Sequence, residues 1–405
     1  MSVQKKVLVA VAVALAAAGG MVLAATGLAP GEGDPAAWGK LYPLQYKSYL
    51  KNAEMSGTDF GGSKPVSKLE QAPYLKELFA GMPFSVEYKE DRGHTYSLED
   101  VRLTQRKKPS ASCLSCKSAD VPGLIKAEGV GFYALPFEDA SARVKNPVAC
   151  LNCHDPATMK LRLSQPALVE ALRKQGRNPD TLTRQELRTL VCAQCHVEYY
   201  FRPQTKEVAF PWDKGMRVAD VERFYDEQGF KDWTHPRSGT DLIKIQHPEV
   251  ELFQSSVHAA SGVTCADCHM PRLREGNASY TSHWWTSPLK TLEESCGGCH
   301  AQSPAELKER VLYTQQRTAE LLKTAGLANV AAIEAIEAAA GVPGADPRLL
   351  QEARALHRKA QLRWDWVAAE NSTGFHNPPE ALYVLGQSIE LARRAELTAR
   401  RAAGK

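Results

Sequence analysis

The residues of this chain best suited to chemistry are its ten cysteines, all of which fall into Cys-x-x-Cys pairs. Four pairs are followed at once by histidine: Cys150 and Cys153 with His154, Cys192 and Cys195 with His196, Cys265 and Cys268 with His269, and Cys296 and Cys299 with His300. The fifth pair, Cys113 and Cys116, is followed by Lys117. Cys-x-x-Cys-His is the attachment motif of c-type haem. The two thiols add across the vinyl groups and the imidazole ligates the iron. A lysine in that place offers an amine instead, so the differing site is the first place to look for reactivity. Zinc and disulfides account for the pattern less well. A tetrahedral Cys₄ zinc site consumes two pairs, which strands one of the five and leaves the histidines unexplained. Disulfide frameworks belong to small secreted domains, and this chain has 405 residues.

Four histidine-ligated irons need four further ligands to become six-coordinate electron carriers with no room for substrate. Of eleven histidines, seven lie outside the motifs: His94, His235, His247, His258, His283, His357 and His376. Four would complete the wires and three would be spare. Counting does not say which. The Lys117 haem, left open on its far side, would be the reaction site.

The elements that position these groups are less regular. Macrocycles can serve as core, so one domain built around five haems needs little regular sheet or helix. With 50 Lys+Arg against 46 Asp+Glu, the charge balance indicates neither a nucleic-acid binder nor an acidic tail. Lys5 and Lys6 precede an apolar run from Val7 to about Ala25, which reads as a secretory signal peptide or as a retained N-terminal membrane anchor. Either places the rest on the exported, periplasmic face. A linker is expected over 26–39 and a pentahaem domain over 40–405, with short helical patterns such as 66–80. From residue 303 the pattern is helical. Ser303-Pro304-Ala305-Glu306 is a capping box with proline at the first helical position. Leu307, Val311, Leu321 and Leu322 mark an apolar stripe. Asp346-Pro347 opens a second helix with Leu349, Leu350, Ala353, Leu356 and Ala360 on one side, and Asn377-Pro378 a third with Leu382, Leu385 and Ile389. These helices would pack internally or form a dimer interface.

From about residue 80 onward the chain resembles the pentahaem cytochrome c nitrite reductases, the ammonia-forming family. The resemblance rests on Arg92-Gly-His94, the Cys113–Lys117 motif, Cys192-Ala-Gln-Cys-His-Val-Glu-Tyr-Tyr-Phe201, Phe210-Pro-Trp-Asp213, Lys244-Ile-Gln-His-Pro248 and Gly374-Phe-His376. It implies a mainly α, multihaem cytochrome c fold with a haem-packed core and long C-terminal helices. The implied activity is six-electron reduction of nitrite to ammonium. It implies that Lys117 is the proximal ligand of the catalytic haem, a role that needs its neutral amine, which a desolvated site beside ferric iron favours. Arg106, Tyr199 and His247 would face the substrate, the guanidinium and a protonated imidazole stabilising its oxygens. Without the resemblance, Arg106 beside Lys107 and Lys108 reads as a solvated charge. The implied distal ligands are His94 for the Cys192/Cys195 haem, His283 for Cys150/Cys153, His376 for Cys265/Cys268 and His258 for Cys296/Cys299. His235 and His357 remain ordinary side chains. One calcium ion is implied, on the Glu198 carboxylate, the Tyr199 and Lys244 carbonyls and the Gln246 side-chain oxygen, an all-oxygen shell. A homodimer is implied too, with a membrane quinol-oxidising cytochrome or a soluble multihaem cytochrome as electron donor. The alternatives are an electron-transfer cytochrome with an idle Lys117 site, and a hydroxylamine or sulfite reductase.

Overall fold

The computed structural model describes residues 27–108 and 110–404. The N-terminal apolar run, read as signal or anchor, lies outside them. Among the described residues no helix is long and apolar enough to cross a membrane.

Three long helices form the C-terminal part: Pro304–Ala340, Pro347–Ala368 and Pro378–Ala402. Their starts follow from local chemistry. Ser303 accepts from the Glu306 N–H and Glu306 reaches back to the Ser303 N–H, so the orphan donors of the first turn are satisfied. Asp346 caps the second helix and Asn377 the third, each ahead of a proline. The helices pack through small residues stacked in layers, one or two from each helix: Ala328 with Ala360 and Ala392, then Ala332 with Leu356 and Ala395, then Ile336 and Ala339 with Ala353 and Ala399. Alanine at these layers brings the helix axes close. The expected stripes hold in part: Ala353, Leu356 and Ala360 of the second helix are buried. Leu307, Val311, Leu321 and Leu322 are only half-buried, and Leu382 is 40% exposed. On the third helix Leu385 is fully buried as expected, together with Ala381, Val384 and Ser388, and Ile389 packs against the same cluster.

The rest of the chain is short helices and four two-stranded antiparallel ribbons. Residues 66–80 form two single-turn helices, Lys68–Gln71 and Leu75–Leu78, interrupted at Pro73. The expected linker ends early. Asp34 caps a helix over Pro35–Gly39 whose Trp38 is buried against Tyr49, Ala149 and Leu151. Pro35 occupies the first helical position, where its missing N–H costs nothing. Two larger apolar clusters flank the haem-motif region. One is centred on Phe79, Tyr225, Trp364 and Trp366, the other on Leu114, Phe132, Leu168 and Trp212.

Candidate haem centres and active site

Each motif winds about one helical turn, which puts its two thiols on one side. The N–H of His154 bonds the Cys150 carbonyl at 2.9 Å, that of His196 the Cys192 carbonyl at 2.9 Å, and that of His300 the Cys296 carbonyl at 3.0 Å. Lys117 closes a tighter turn, bonding Leu114 at 3.0 Å. No cysteine is in a disulfide. Among the described residues no three His, Cys, Asp or Glu side chains converge as metal ligands. All ten cysteines instead line one continuous cavity of about 2100 Å³, large against the roughly 300–1,000 Å³ of an ordinary ligand site.

The histidines divide across this space. Two imidazoles bonding one metal at about 2.0–2.1 Å have ring centres about 6 Å apart. His94 faces His196 at 5.9 Å, His283 faces His154 at 6.2 Å, His376 faces His269 at 6.2 Å and His258 faces His300 at 6.2 Å. His196 also has His247 at 6.4 Å. Those two rings meet across a carboxylate, since Glu249 Oε1 lies 3.6 Å from His196 Nδ1 and 3.9 Å from His247 Nδ1. His235 and His357 line no part of the cavity. They are core groups, His235 Nε2 on the Glu77 carbonyl at 2.9 Å, and His357 between Thr240 and Gln361 at 3.0 and 3.1 Å. The cavity, the thiols on its wall and the facing rings fit five covalently held macrocycles.

Lys117 lies with Arg106, Tyr199 and His247 at one end. Its Nζ is 3.8 Å from Asp91 Oδ2. Burial by itself raises Asp91, but Lys117, His247 and Arg106 together hold it below the usual carboxylate value. Arg106 is half-buried, not a solvated charge. Its guanidinium rests on the Phe84 ring at 4.3 Å and its Nε on Thr104 Oγ1 at 3.3 Å. Glu87 fixes that segment, accepting from the Thr104 hydroxyl at 2.7 Å and from the Gln105 N–H. Burial opposes ionisation of Glu87, yet Lys89, Thr104 and Gln105 outweigh it and hold the carboxyl at about 2. Burial pushes the Tyr199 hydroxyl well above its usual value, so it stays a neutral donor. Burial brings His247 down to about 4, with Glu249 opposing and Lys117 assisting. Desolvation thus works against the protonated imidazole that the resemblance implies, and Glu249 works for it.

The candidate calcium residues are adjacent. Glu198 is fully buried, accepting from Tyr225 Oη at 2.7 Å and from the Gln246 N–H at 2.6 Å. Gln246 Nε2 lies 2.9 Å from the Lys244 carbonyl, and Lys244 Nζ is bound to both Asp365 oxygens at 2.9 Å. Burial raises Glu198 well above the carboxylate range, moves Glu251 up to about 8 and Asp232 up to about 6. Glu251 Oε1 accepts from the Glu198 N–H at 2.9 Å. Of the expected calcium residues, the Glu198 carboxylate and the Gln246 amide thus lie together, bridged by the Gln246 N–H, and oxygen donors of this kind are what a hard cation takes.

Asp91, Glu249, Glu251, Asp365 and Glu370 are not singled out by any motif in the sequence. Glu249 is signalled only by its place directly after His247-Pro248; the others look like ordinary charges in sequence.

Comparison with known proteins places the whole in context. The chain matches the cytochrome c552 family model over residues 34–405 and belongs to that family. It is 42% identical over 397 residues to the cytochrome c nitrite reductase subunit NrfA of Nitratidesulfovibrio vulgaris, covering 87% of this chain and 76% of that one. It is 40% identical to cytochrome c-552 of Bacteroides fragilis over 89% of this chain and 75% of that one. Among solved structures, cytochrome c nitrite reductase of Desulfovibrio desulfuricans, whose catalytic subunit is described with two calcium sites, superposes with a TM-score of 0.89 at 39% identity, covering 93% of this chain and 88% of that one.

Proposed function

We propose that this chain is an ammonia-forming nitrite reductase carrying five covalent haems, with nitrite reduced at the haem of Cys113 and Cys116. The observation that carries the proposal is the asymmetry among the five motifs. Four histidines each face a second ring across the cavity, whereas Lys117 sits among Arg106, Tyr199 and His247. Bound at Lys117, the haem supplies an open iron position and a route for electrons. His94, His283, His376 and His258 are proposed as the distal ligands of the other four.

The protein's part is then electrostatic and protonic. Nitrite is an anion, and the Arg106 guanidinium gives it a fixed positive partner, oriented by Phe84 and Thr104. Tyr199 donates from its neutral hydroxyl. His247 is neutral before the anion enters, and the anion's charge raises its proton affinity, so it gains a proton together with substrate and can release it to a departing oxygen.

Calcium is proposed on Glu198, Gln246 and the Tyr199 and Lys244 carbonyls. The Gln246 amide, turned so that its oxygen takes the place of the nitrogen now 2.9 Å from the Lys244 carbonyl, would offer two neighbouring oxygens. A bound calcium ion would make that pair of oxygens favourable. The ion would fix the segments presenting Tyr199 and His247. A homodimer through the exposed Tyr383 and Leu397 of the third long helix, an exported location and a multihaem or quinol-oxidising cytochrome as donor complete the proposal.

Electron paramagnetic resonance tests it. The oxidised protein should show one iron whose signal changes on adding nitrite or cyanide, beside four low-spin signals that do not. Five signals all indifferent to added ligand would favour an electron carrier instead.

A further inference from the structure

The nitrogens of the histidines that point away from the cavity have unequal partners. His154 Nδ1 bonds the Met159 carbonyl at 2.8 Å, His283 Nδ1 the Thr281 carbonyl at 2.9 Å and His269 Nδ1 the Thr286 carbonyl at 3.0 Å. These are neutral acceptors. His376 Nδ1 instead lies 2.5 Å from Glu370 Oε1, on a side chain with no solvent exposure. The oxygen sits off the line of the N–H bond, so the contact is between a ring and a charge. Glu370 is locked in place by its own loop. It accepts from the Ser372 N–H at 2.9 Å, the Ser372 hydroxyl at 2.8 Å and the Gly374 N–H at 3.3 Å. Ser372 Oγ in turn accepts from the His376 N–H at 2.8 Å. Gly374 has φ +80°, and a Cβ there would meet Thr318 Oγ1 at 2.6 Å, so the tight loop also depends on glycine. His376 is the ion-pair partner of Glu370 among the described residues, so no lysine or arginine cancels the charge locally.

We propose that Glu370 is a positioning residue for His376 and holds the Cys265/Cys268 haem at a lower reduction potential than the Cys150/Cys153 haem. The inference rests on the proposed axial roles of His376 and His283. The two haems form a matched pair: the motif histidines His154 and His269 both use a backbone carbonyl, and the difference lies in the distal partner, Thr281 carbonyl against Glu370 carboxylate. A buried negative charge beside an axial ligand favours the iron state with the greater positive charge, which is ferric. Water does not screen it at full burial. Within the cavity, an electron on the Cys265/Cys268 haem is therefore driven onward instead of stored.

The test is a spectroelectrochemical titration of the five-haem protein, with each low-spin signal followed by electron paramagnetic resonance. Glu370→Gln keeps size and removes charge. It should move one low-spin haem upward by about tenfold in its ferric-to-ferrous equilibrium, about 59 mV for one electron, and leave the other signals in place. Glu370→Asp retains the charge and should move that haem by less than half as much. Retention of all potentials in Glu370→Gln, or an equal shift in both variants, overturns the inference; whichever variant loads five haems suffices, since a full upward shift in the aspartate variant alone also contradicts it. His376→Met separates this from the reading beneath it. If His376→Met leaves every low-spin signal unchanged, the axial assignment fails. If it changes one and Glu370→Gln moves no potential, the role of Glu370 fails.

Discussion

Replacing Asp365 with asparagine should destabilise the protein and displace the active-site segment. Asp365 on the second long helix holds Lys244 Nζ through both oxygens at 2.9 Å and accepts from the Ile245 N–H at 2.8 Å. The two side chains are 2% and 1% exposed. The ammonium also donates to the Ile245 carbonyl and meets the rings of Phe79, Phe84 and Tyr88 at 5.2, 5.1 and 5.5 Å. Removing one partner of a buried pair costs about 3–5 kcal/mol. A second route gives a similar ceiling: the orphaned lysine can lose its proton, which for an ordinary amine at pH 7 costs about 4–5 kcal/mol. Urea unfolding followed by the haem absorbance should show a midpoint lower by about 1 M or more, given a slope of about 3 kcal/mol/M or somewhat above. Because Lys244 leads directly into Gln246 and His247, kcat should fall as well. The double variant Lys244→Met with Asp365→Leu removes both charges and should recover most of the stability. An Asp365→Asn protein within about 1 kcal/mol of the parent, or a double variant no better than the single, would refute the reasoning.

His247→Asn should keep five haems by intact mass and all low-spin signals while nitrite turnover falls by about tenfold or more; loss of a low-spin signal would make His247 an axial ligand. Lys117→His should retain the haem through Cys113 and Cys116 but lower turnover, because the axial ligand sets haem electronics. Glu87 is held at about 2 in the fold against an unfolded value near 4.5, so its contribution is complete above pH 4.5 and is lost as pH falls through 2. Glu87→Gln should therefore flatten the stability profile across that acid window and loosen Arg106, seen as a raised KM for nitrite. Calcium chelation should lower turnover reversibly, and Glu198→Gln should remove that sensitivity.

Much of the site is visible in sequence because covalent haem attachment needs fixed residues at fixed spacing, and helix starts need caps. Ser303, Asp346 and Asn377 cap their helices as their residue types require. The apolar stripes are less legible. The close approach of the long helices is set by Ala328, Ala360 and Ala392, and alanine gives little contrast in a hydrophobic pattern. The buried carboxylates are least legible. Glu370 and Asp365 acquire their roles from partners at His376 and Lys244, and for Asp365 that partner is more than a hundred residues away in the chain. The lowered proton affinity of His247 has the same origin, since desolvation is a property of the assembled cavity.

The central claim is a reaction at the Lys117 haem, and its product stoichiometry is the most direct test. Purified five-haem protein, supplied anaerobically with reduced viologen and ¹⁵N-nitrite, should yield ¹⁵N-ammonium with six electrons consumed per nitrite and no accumulating nitrogen oxide. Lys117→His should slow this without loss of haem. Reduction of all five haems with no ammonium formed would contradict the account and leave an electron-transfer cytochrome in its place.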